Sequence, residues 1–343
     1  MVNQVIGDSM AAQRSMVTRG ERGADFVARR GGGQPTRFYG YAGGSPTVLV
    51  FSGAGGEPST LAMRDNLVNA LHNDVRVHVI AAGPDVTDEA TFHDPQGLVH
   101  AAYGVPAAGN PTVVVLDPNV RVAAACVHRD PETTLAAVTT AVADVAIAGT
   151  GSTVRRHAPV LLVPHALDDE FCARLIGLWA SSETVETGVE ATVGGERAEA
   201  TDRLRKRRRD HTVTDAGLLR MLASHVGRRV MPEIRKAFAY EAKQFEGFKI
   251  GCYQAEDEGF FTAHRDNISP ATAHRKFALT LNLNEDYDGG ELRFPEYGPD
   301  RYRPAVGEAL VFSCAHLHEV LPVSRGRRFV LLSFLFGGEQ DAT

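Results

Sequence analysis

The sequence predicts two domains of different class: an α/β domain in the first half, and an α+β domain with a jelly-roll or barrel core in the second. Three observations predict it. A chain of 343 residues is longer than one typical core organises. Its first half alternates strand-like and helix-like stretches, which is the pattern of α/β proteins. Its last hundred or so residues instead consist of short apolar runs separated by Gly, Pro and Asp turns.

In the first half, TVLVFSG (Thr47–Gly53) reads as a buried strand, and Ser59–Leu71 follows with apolar residues at helical spacing. VRVHVIAAG (Val75–Gly83) is a second strand. PTVVVLDP (Pro111–Pro118) and VRVAAACVH (Val120–His128) read as a hairpin turning at Asp117, Pro118 and Asn119, and a helix over Pro131–Val145 closes the unit. The flexible composition of AGTGST (Ala148–Thr153) marks a linker. The expected domains are residues 1–150 and 156–338.

The second half opens with a strand at Val160–Val163 and a helix from Asp168 to Ala180. A polar, poorly patterned stretch covers Ser181–His211, and one long helical segment is expected from Asp215 to about Lys243. Short strands follow at Phe248–Tyr253, Gly259–His264, Lys276–Asn284, Glu291–Phe294, Glu308–Phe312, His318–Val323 and Arg328–Phe336.

Composition narrows the function classes. Hydrophobic residues make up 43% and charged residues 23%, the balance of a globular protein, and the net charge of −6 gives no bulk electrostatic case for nucleic acid or an anionic membrane. No apolar window is long enough to span a bilayer, and the N-terminal residues lack the apolar stretch of a secretory signal. Cys126, Cys172, Cys252 and Cys314 are far apart and form no CxxC pair, which argues against a disulfide framework, a zinc knot or a dithiol centre. A cytoplasmic enzyme or binding protein is expected.

FFTAHRDN (Phe260–Asn267) carries the chemistry. His264 and Asp266, two residues apart at a strand end, point to one side and can approach one metal ion. Two imidazoles and a carboxylate with open positions are the ligand set of non-haem Fe(II). The third ligand should be a histidine from a distant strand, and SCAHLHEVLPV (Ser313–Val323) offers His316 and His318. Alternation puts both on one face, so spacing does not choose between them. The motif HxD alone is weak; a solvated turn is its ordinary explanation.

Several motifs together resemble a family. IGCY, the HxD, LNLNEDYDGGEL (Leu281–Leu292) and HEVLPVSRGRRF (His318–Phe329) make the second half similar to the prolyl-4-hydroxylase-like 2-oxoglutarate/Fe(II) dioxygenases. The resemblance implies a double-stranded β-helix core. It implies His318 as the distal ligand, because a basic residue about ten positions later grips the far carboxylate of 2-oxoglutarate. Counting from His318 gives Arg328, whereas counting from His316 gives Gly326. His316 is then a polar neighbour. Arg327 competes for the carboxylate, and a guanidinium suits that role because it binds carboxylates through paired hydrogen bonds. Tyr253 resembles the family tyrosine that shares this carboxylate. The implied chemistry is hydroxylation of an unactivated C–H, with Fe(II), 2-oxoglutarate and O2 consumed to give succinate and carbon dioxide, and ascorbate as an accessory reductant. Asp266 fills the carboxylate position that related halogenases leave empty.

The first half resembles the thioredoxin-like fold, in its redoxin branch related to peroxiredoxins, through GADF (Gly23–Phe26), TVLVF and NPTVVVLDP (Asn110–Pro118), with Pro111 where that fold often keeps a cis-proline. It departs from the family at GAGGEPST (Gly53–Thr60), where the peroxidatic cysteine is missing. A redox-inactive domain serving docking, covering or homodimerisation is expected.

The substrate is expected to be a protein or peptide, with a free amino acid or natural-product small molecule as the alternative. A non-catalytic sensor is a third reading, and a peroxidase ranks last. The basic run Arg203–Arg209 is open to two explanations: a solvated, charge-balanced face, or a lid attracting an anionic substrate.

Overall fold

In the computed structural model the chain divides into two compact units, residues 1–151 and 152–343. The structure describes residues 4–6, 15–52, 57–72, 74–82, 88–107, 109–145, 153–193 and 196–337. The expected linker, apart from Thr153, and the glycines at the start of Gly53–Thr60 lie outside these residues.

The first unit runs β1 (Gln4–Ile6), β2 (Asp25–Arg29), β3 (Pro35–Arg37), β4 (Thr47–Phe51), α1 (Glu57–Ala70), β5 (Arg76–Ala81), β6 (Thr91–His93), α2 (Leu98–Ala102), β7 (Thr112–Leu116), β8 (Val122–Val127) and α3 (Pro131–Val145). Its main sheet has the order β6-β5-β4-β7-β8. Strands β4, β5 and β6 are mutually parallel, while β7 and β8 return antiparallel. Val48, Val50, Val113 and Val115 face α1 and α3 on one side. Leu49, Phe51, Val114 and Leu116 face Phe26, Phe38 and Phe92 on the other. Burial on both faces is why TVLVF and TVVVL read as unbroken apolar runs. The hairpin turn is fixed by Asp117, whose Oδ1 accepts from the Asn119 and Arg121 amides at 2.8 Å each. The bond before Pro111 is trans, as is every peptide bond among the described residues, so the expectation of a cis-proline there is corrected.

The second unit runs β9 (Leu161–Val163), α4 (Asp169–Ser181), β10 (Val185–Glu186), β11 (Val189–Val193), β12 (Glu196–Ala200), β13 (Arg209–Thr212), α5 (Ala216–Arg229), α6 (Met231–Phe238), β14 (Gln244–Phe245), β15 (Lys249–Gln254), β16 (Phe261–His264), β17 (Phe277–Asn282), β18 (Asp288–Gly289), β19 (Leu292–Arg293), β20 (Arg301–Tyr302), β21 (Ala309–Ser313), β22 (His318–Val320), β23 (Val323–Arg325) and β24 (Arg327–Phe336). A large sheet has the order β10-β13-β15-β24-β17-β21-β9, with β14 also paired to β24. A smaller sheet has the order β16-β22-β19-β20.

One face of the large sheet, including Leu279, Leu281 and Leu331, packs on α4, α5 and α6 through Leu175, Leu222 and Ile234. Its other face, including Ala278, Leu310 and Val330, shares a core with Leu292, Phe294 and Val320 of the smaller sheet. Asp168 and Asp215 cap α4 and α5, each accepting the amide three residues on at 2.7 Å.

Two expectations are corrected. The long helix is two helices meeting at Val230, because Pro232 in the first turn of α6 has no amide to donate and would clash with the preceding turn. The stretch Ser181–His211 contains β10 to β13 and contributes β13 to the interior of the large sheet. Its charge density masks a strand because only alternate residues turn inward.

Leu281 is fully buried in the middle of the large sheet, whereas Leu162 on its edge is 45% exposed. Leu281→Ala should lower the unfolding free energy of this unit by about 2–5 kcal/mol, and Leu162→Ala by less than about 0.5 kcal/mol. Urea denaturation followed by the fluorescence of Trp179, the chain's single tryptophan, reads both.

Candidate metal centre

His264 ends β16, and its backbone register partner on β22 is His318. Antiparallel partners carry their side chains on the same face, so the two rings meet with centroids 4.2 Å apart. Asp266 lies in the loop after β16, its amide donating to the Cys314 carbonyl at 2.9 Å. One Asp266 oxygen is 3.4 Å from His264 Nε2 and the other is 3.4 Å from His318 Nε2. Donor atoms of these three residues all lie within 4.8 Å of one another, and among the described residues no other such group occurs. The structure thus brings His264, Asp266 and His318 together and leaves His316 outside.

The proton positions follow from the backbone. His264 Nδ1 donates to the Thr262 carbonyl at 2.7 Å, and His318 Nδ1 donates to the His316 carbonyl at 3.0 Å. A carbonyl can only accept, so each ring keeps its proton on Nδ1 and presents the Nε2 lone pair to Asp266. Burial pushes His318 down to about 4, with Asp266 partly opposing it, so the ring is neutral at physiological pH. Two imidazole Nε2 atoms and a carboxylate converging on one another suit a divalent cation, and the donor set fits iron.

Two ion pairs brace the cluster. Arg275 forks onto Glu246 at 2.8 Å twice, rests on the Phe334 ring and donates to the Asp266 carbonyl at 3.3 Å. Arg265 forks onto Glu296, which also accepts the Leu317 amide at 2.9 Å, and donates to the Ala315 carbonyl. The second brace ties the Asp266 turn to the loop that leads into His318. His316 belongs to that loop, its ring bonded to the Tyr297 hydroxyl at 2.9 Å. Phe261 stacks on His264 at 3.6 Å and Phe312 lies 4.6 Å from His318, so apolar rings shield the ligands.

Arg328 and Tyr253 are register partners on β24 and β15. Both are 2% exposed, and the Arg328 guanidinium carbon is 5.7 Å from the Tyr253 ring centre. Among the described residues no carboxylate pairs with Arg328, although a buried guanidinium ordinarily has one. Gly290 makes room for it: a Cβ there would lie 3.0 Å from Arg328 Cδ. Arg327 is exposed on the opposite face.

Three residues that the sequence did not single out one by one lie around Tyr253 and Phe261. Arg208 donates to the Tyr253 hydroxyl at 3.1 Å and forks onto Asp210 at 2.6 and 2.7 Å. Lys206 is buried, 4.0 Å from the same carboxylate, with its ammonium 5.3 Å over the Phe261 ring. The signal was the alternation of Lys206, Arg208 and Asp210 against Arg205, Arg207 and Arg209, hidden by reading the run as one block. On the outward face of the run, Arg203 and Arg207 pair with Glu186, Asp257 and Glu258, and Arg209 donates to Thr184.

Residues 248–336, which contain all of these ligands together with Tyr253 and Arg328, match the 2OG-Fe(II) oxygenase superfamily. A PKHD-type hydroxylase of Synechococcus sp. is 31% identical over 104 residues, covering 28% of this chain and 46% of that protein. A PKHD-type hydroxylase of Pseudomonas putida is 37% identical over 89 residues, covering 23% of this chain and 38% of that protein. The chain therefore spans less than half the length of these curated relatives. Among solved structures, a Pseudomonas putida prolyl-4-hydroxylase aligns over 52% of this chain and 92% of its own, at 19% identity and a TM-score of 0.38. A prolyl hydroxylase from Trichoplax adhaerens, in complex with a hypoxia inducible factor oxygen degradation domain peptide fragment, aligns over 54% and 86% at 15% identity and a TM-score of 0.43.

His318→Ala should weaken Fe(II) or Co(II) binding by more than about a hundredfold, beyond the range of outer-shell changes. His316→Ala, which keeps the carbonyl that orients His318, should weaken it less than about tenfold. Equilibrium dialysis against the metal separates the two.

Proposed function

We propose that the second unit, residues 156–338, is a non-haem Fe(II) and 2-oxoglutarate-dependent dioxygenase that hydroxylates an unactivated C–H of a protein or peptide, of the prolyl-4-hydroxylase type. One observation carries the reading: a two-histidine, one-carboxylate cluster lies on the same strand core as a buried arginine that has no carboxylate of its own. His264, Asp266 and His318 hold the metal. When bound, Fe(II) with 2-oxoglutarate and O2 supplies the oxidation that adds a hydroxyl to substrate and releases succinate and carbon dioxide.

The other roles belong to the chain. Arg328 binds the far carboxylate of 2-oxoglutarate, because its charge has no counter-ion among the described residues and its fork matches a carboxylate. Tyr253 shares that carboxylate through its hydroxyl. Phe261, Phe312 and Phe294 exclude water from the imidazoles, and the Glu246–Arg275 and Arg265–Glu296 pairs hold the Asp266 turn still. The hydroxylase names of the relatives agree with this chemistry. The pairing of Arg203, Arg207 and Arg208 with acidic residues supports the charge-balanced explanation of the basic run over a cationic substrate lid.

The first unit, residues 1–150, is a redox-inactive thioredoxin-like domain in this reading. The sheet order β5-β4-β7-β8, with a parallel pair followed by an antiparallel hairpin, supports it. No cysteine occurs in Gly53–Thr60, and burial pushes the Cys126 thiol up, away from thiolate character. Among the described residues no helix is long and apolar enough to cross a membrane.

The purified chain with Fe(II), ascorbate, O2 and 2-oxoglutarate should form succinate, and His264→Ala should abolish it. Neither succinate nor Fe(II) binding in the unaltered chain would sink the oxygenase reading in favour of a sensor. Arg328→Ala should raise the KM for 2-oxoglutarate by about 10–100-fold, the worth of a charged hydrogen-bonded pair. Arg327→Ala should leave it within about threefold, since exposed charges contribute little. Arg328→Ala strands no buried carboxylate, so the variant should remain folded.

A further inference from the structure

We propose that Arg208 is a positioning residue for the co-substrate: it orients the Tyr253 hydroxyl so that the phenolic proton is directed at the far carboxylate of 2-oxoglutarate. This rests on the oxygenase reading and adds a residue to its site.

The argument starts from what each group can donate. A guanidinium has five N–H donors and no lone pair to offer. In the 3.1 Å contact between Arg208 Nη1 and the Tyr253 hydroxyl, the phenolic oxygen must therefore accept. Its own proton is left to point elsewhere, and among the described residues nothing receives it. Tyr253 is 2% exposed, so bulk water is a poor alternative partner. A free phenol can rotate its O–H either way; one pinned by a guanidinium cannot turn its proton back toward the pin.

Arg208 is itself fixed. Its Nε and Nη2 reach both oxygens of Asp210 at 2.6 and 2.7 Å. Asp210, 1% exposed, also accepts from the Thr187 hydroxyl at 2.5 Å, and Thr187 in turn accepts from Lys206 Nζ at 2.5 Å. The backbone reserves space for the pair. A Cβ on Gly251, opposite Asp210 in the β13–β15 register, would lie 3.0 Å from both Arg208 Cδ and Asp210 Oδ1.

The two guanidiniums at Tyr253 divide the labour. Their central carbons lie 5.6 Å (Arg208) and 5.7 Å (Arg328) from the ring centre. Asp210 cancels the charge of Arg208, so Arg208 contributes direction and little net charge. Among the described residues Arg328 has no such partner, and it contributes charge.

The test is calorimetric titration of 2-oxoglutarate into the full chain loaded with Mn(II), which binds without turning over. Three proteins are compared with the unaltered one: Tyr253→Phe, the pair Arg208→Gln with Asp210→Asn, and all three changes together. Changing the pair together removes one buried charge of each sign and leaves Lys206, 4.0 Å from Asp210, with the Thr187 hydroxyl and the Gly188 carbonyl as its partners. Tyr253→Phe should weaken 2-oxoglutarate binding about tenfold. The pair should weaken it several-fold when Tyr253 is present and cause no further loss once Tyr253→Phe is made. Mn(II) affinity should be the same in all four. Should the pair variant fail to fold, Arg208→Lys, which keeps the charge and loses the fork, should show the same dependence on Tyr253. An equal loss with and without Tyr253→Phe, or no loss in either, would overturn the assignment while leaving the oxygenase reading in place. Absence of 2-oxoglutarate binding by the unaltered, Mn(II)-loaded chain would overturn both.

Discussion

The register of β16 against β22 is the constraint on which the candidate site depends. His264 and His318 are 54 residues apart in sequence, yet they are antiparallel partners, so one pairing sets their separation and their common face. A shift of one residue would send one ring to the opposite side of the sheet. Much of the surrounding structure serves to keep that register. The Arg265–Glu296 pair joins the two loops, and the backbone carbonyls of Thr262 and His316 fix how each ring is turned.

A second layer of order concerns charge. Around the cluster, cations pair with anions: Arg275 with Glu246, both half-buried, and Arg208 and the buried Lys206 with the buried Asp210. Such pairs contribute little net stability when buried, but they hold a geometry, because breaking one leaves a charge stranded. Arg328 stands outside this pattern. Its neighbourhood supplies an aromatic ring and a glycine in place of a carboxylate.

Much of this was legible in the sequence, for identifiable reasons. Strands buried on both faces, such as TVVVL and FALTLN, announce themselves because almost every residue is apolar or β-branched, Asn282 being the exception. His264 and Asp266 were legible as a pair because their spacing is local. Choosing His318 over His316 was not possible from periodicity, since alternation would put both on one face; in the structure His316 lies in the loop before β22 and bonds Tyr297, while His318 begins the strand and turns inward. The break at Val230 was signalled by Pro232 but overridden by the helical spacing on either side of it. Lys206, Arg208 and Asp210 were hidden because a run of cations reads as surface, and burial of charge is decided by partners that sequence order does not reveal. The cis-proline expectation came from resemblance, and the trans geometry at Pro111 does not follow it.

If the proposed role of Arg328 holds, that residue also ties ligand to folding. A guanidinium buried without a counter-ion among the described residues lowers stability, and a dicarboxylate that pairs with it returns stability that grows with the logarithm of its concentration above its Kd. The second unit is then sturdiest where the small acid is plentiful.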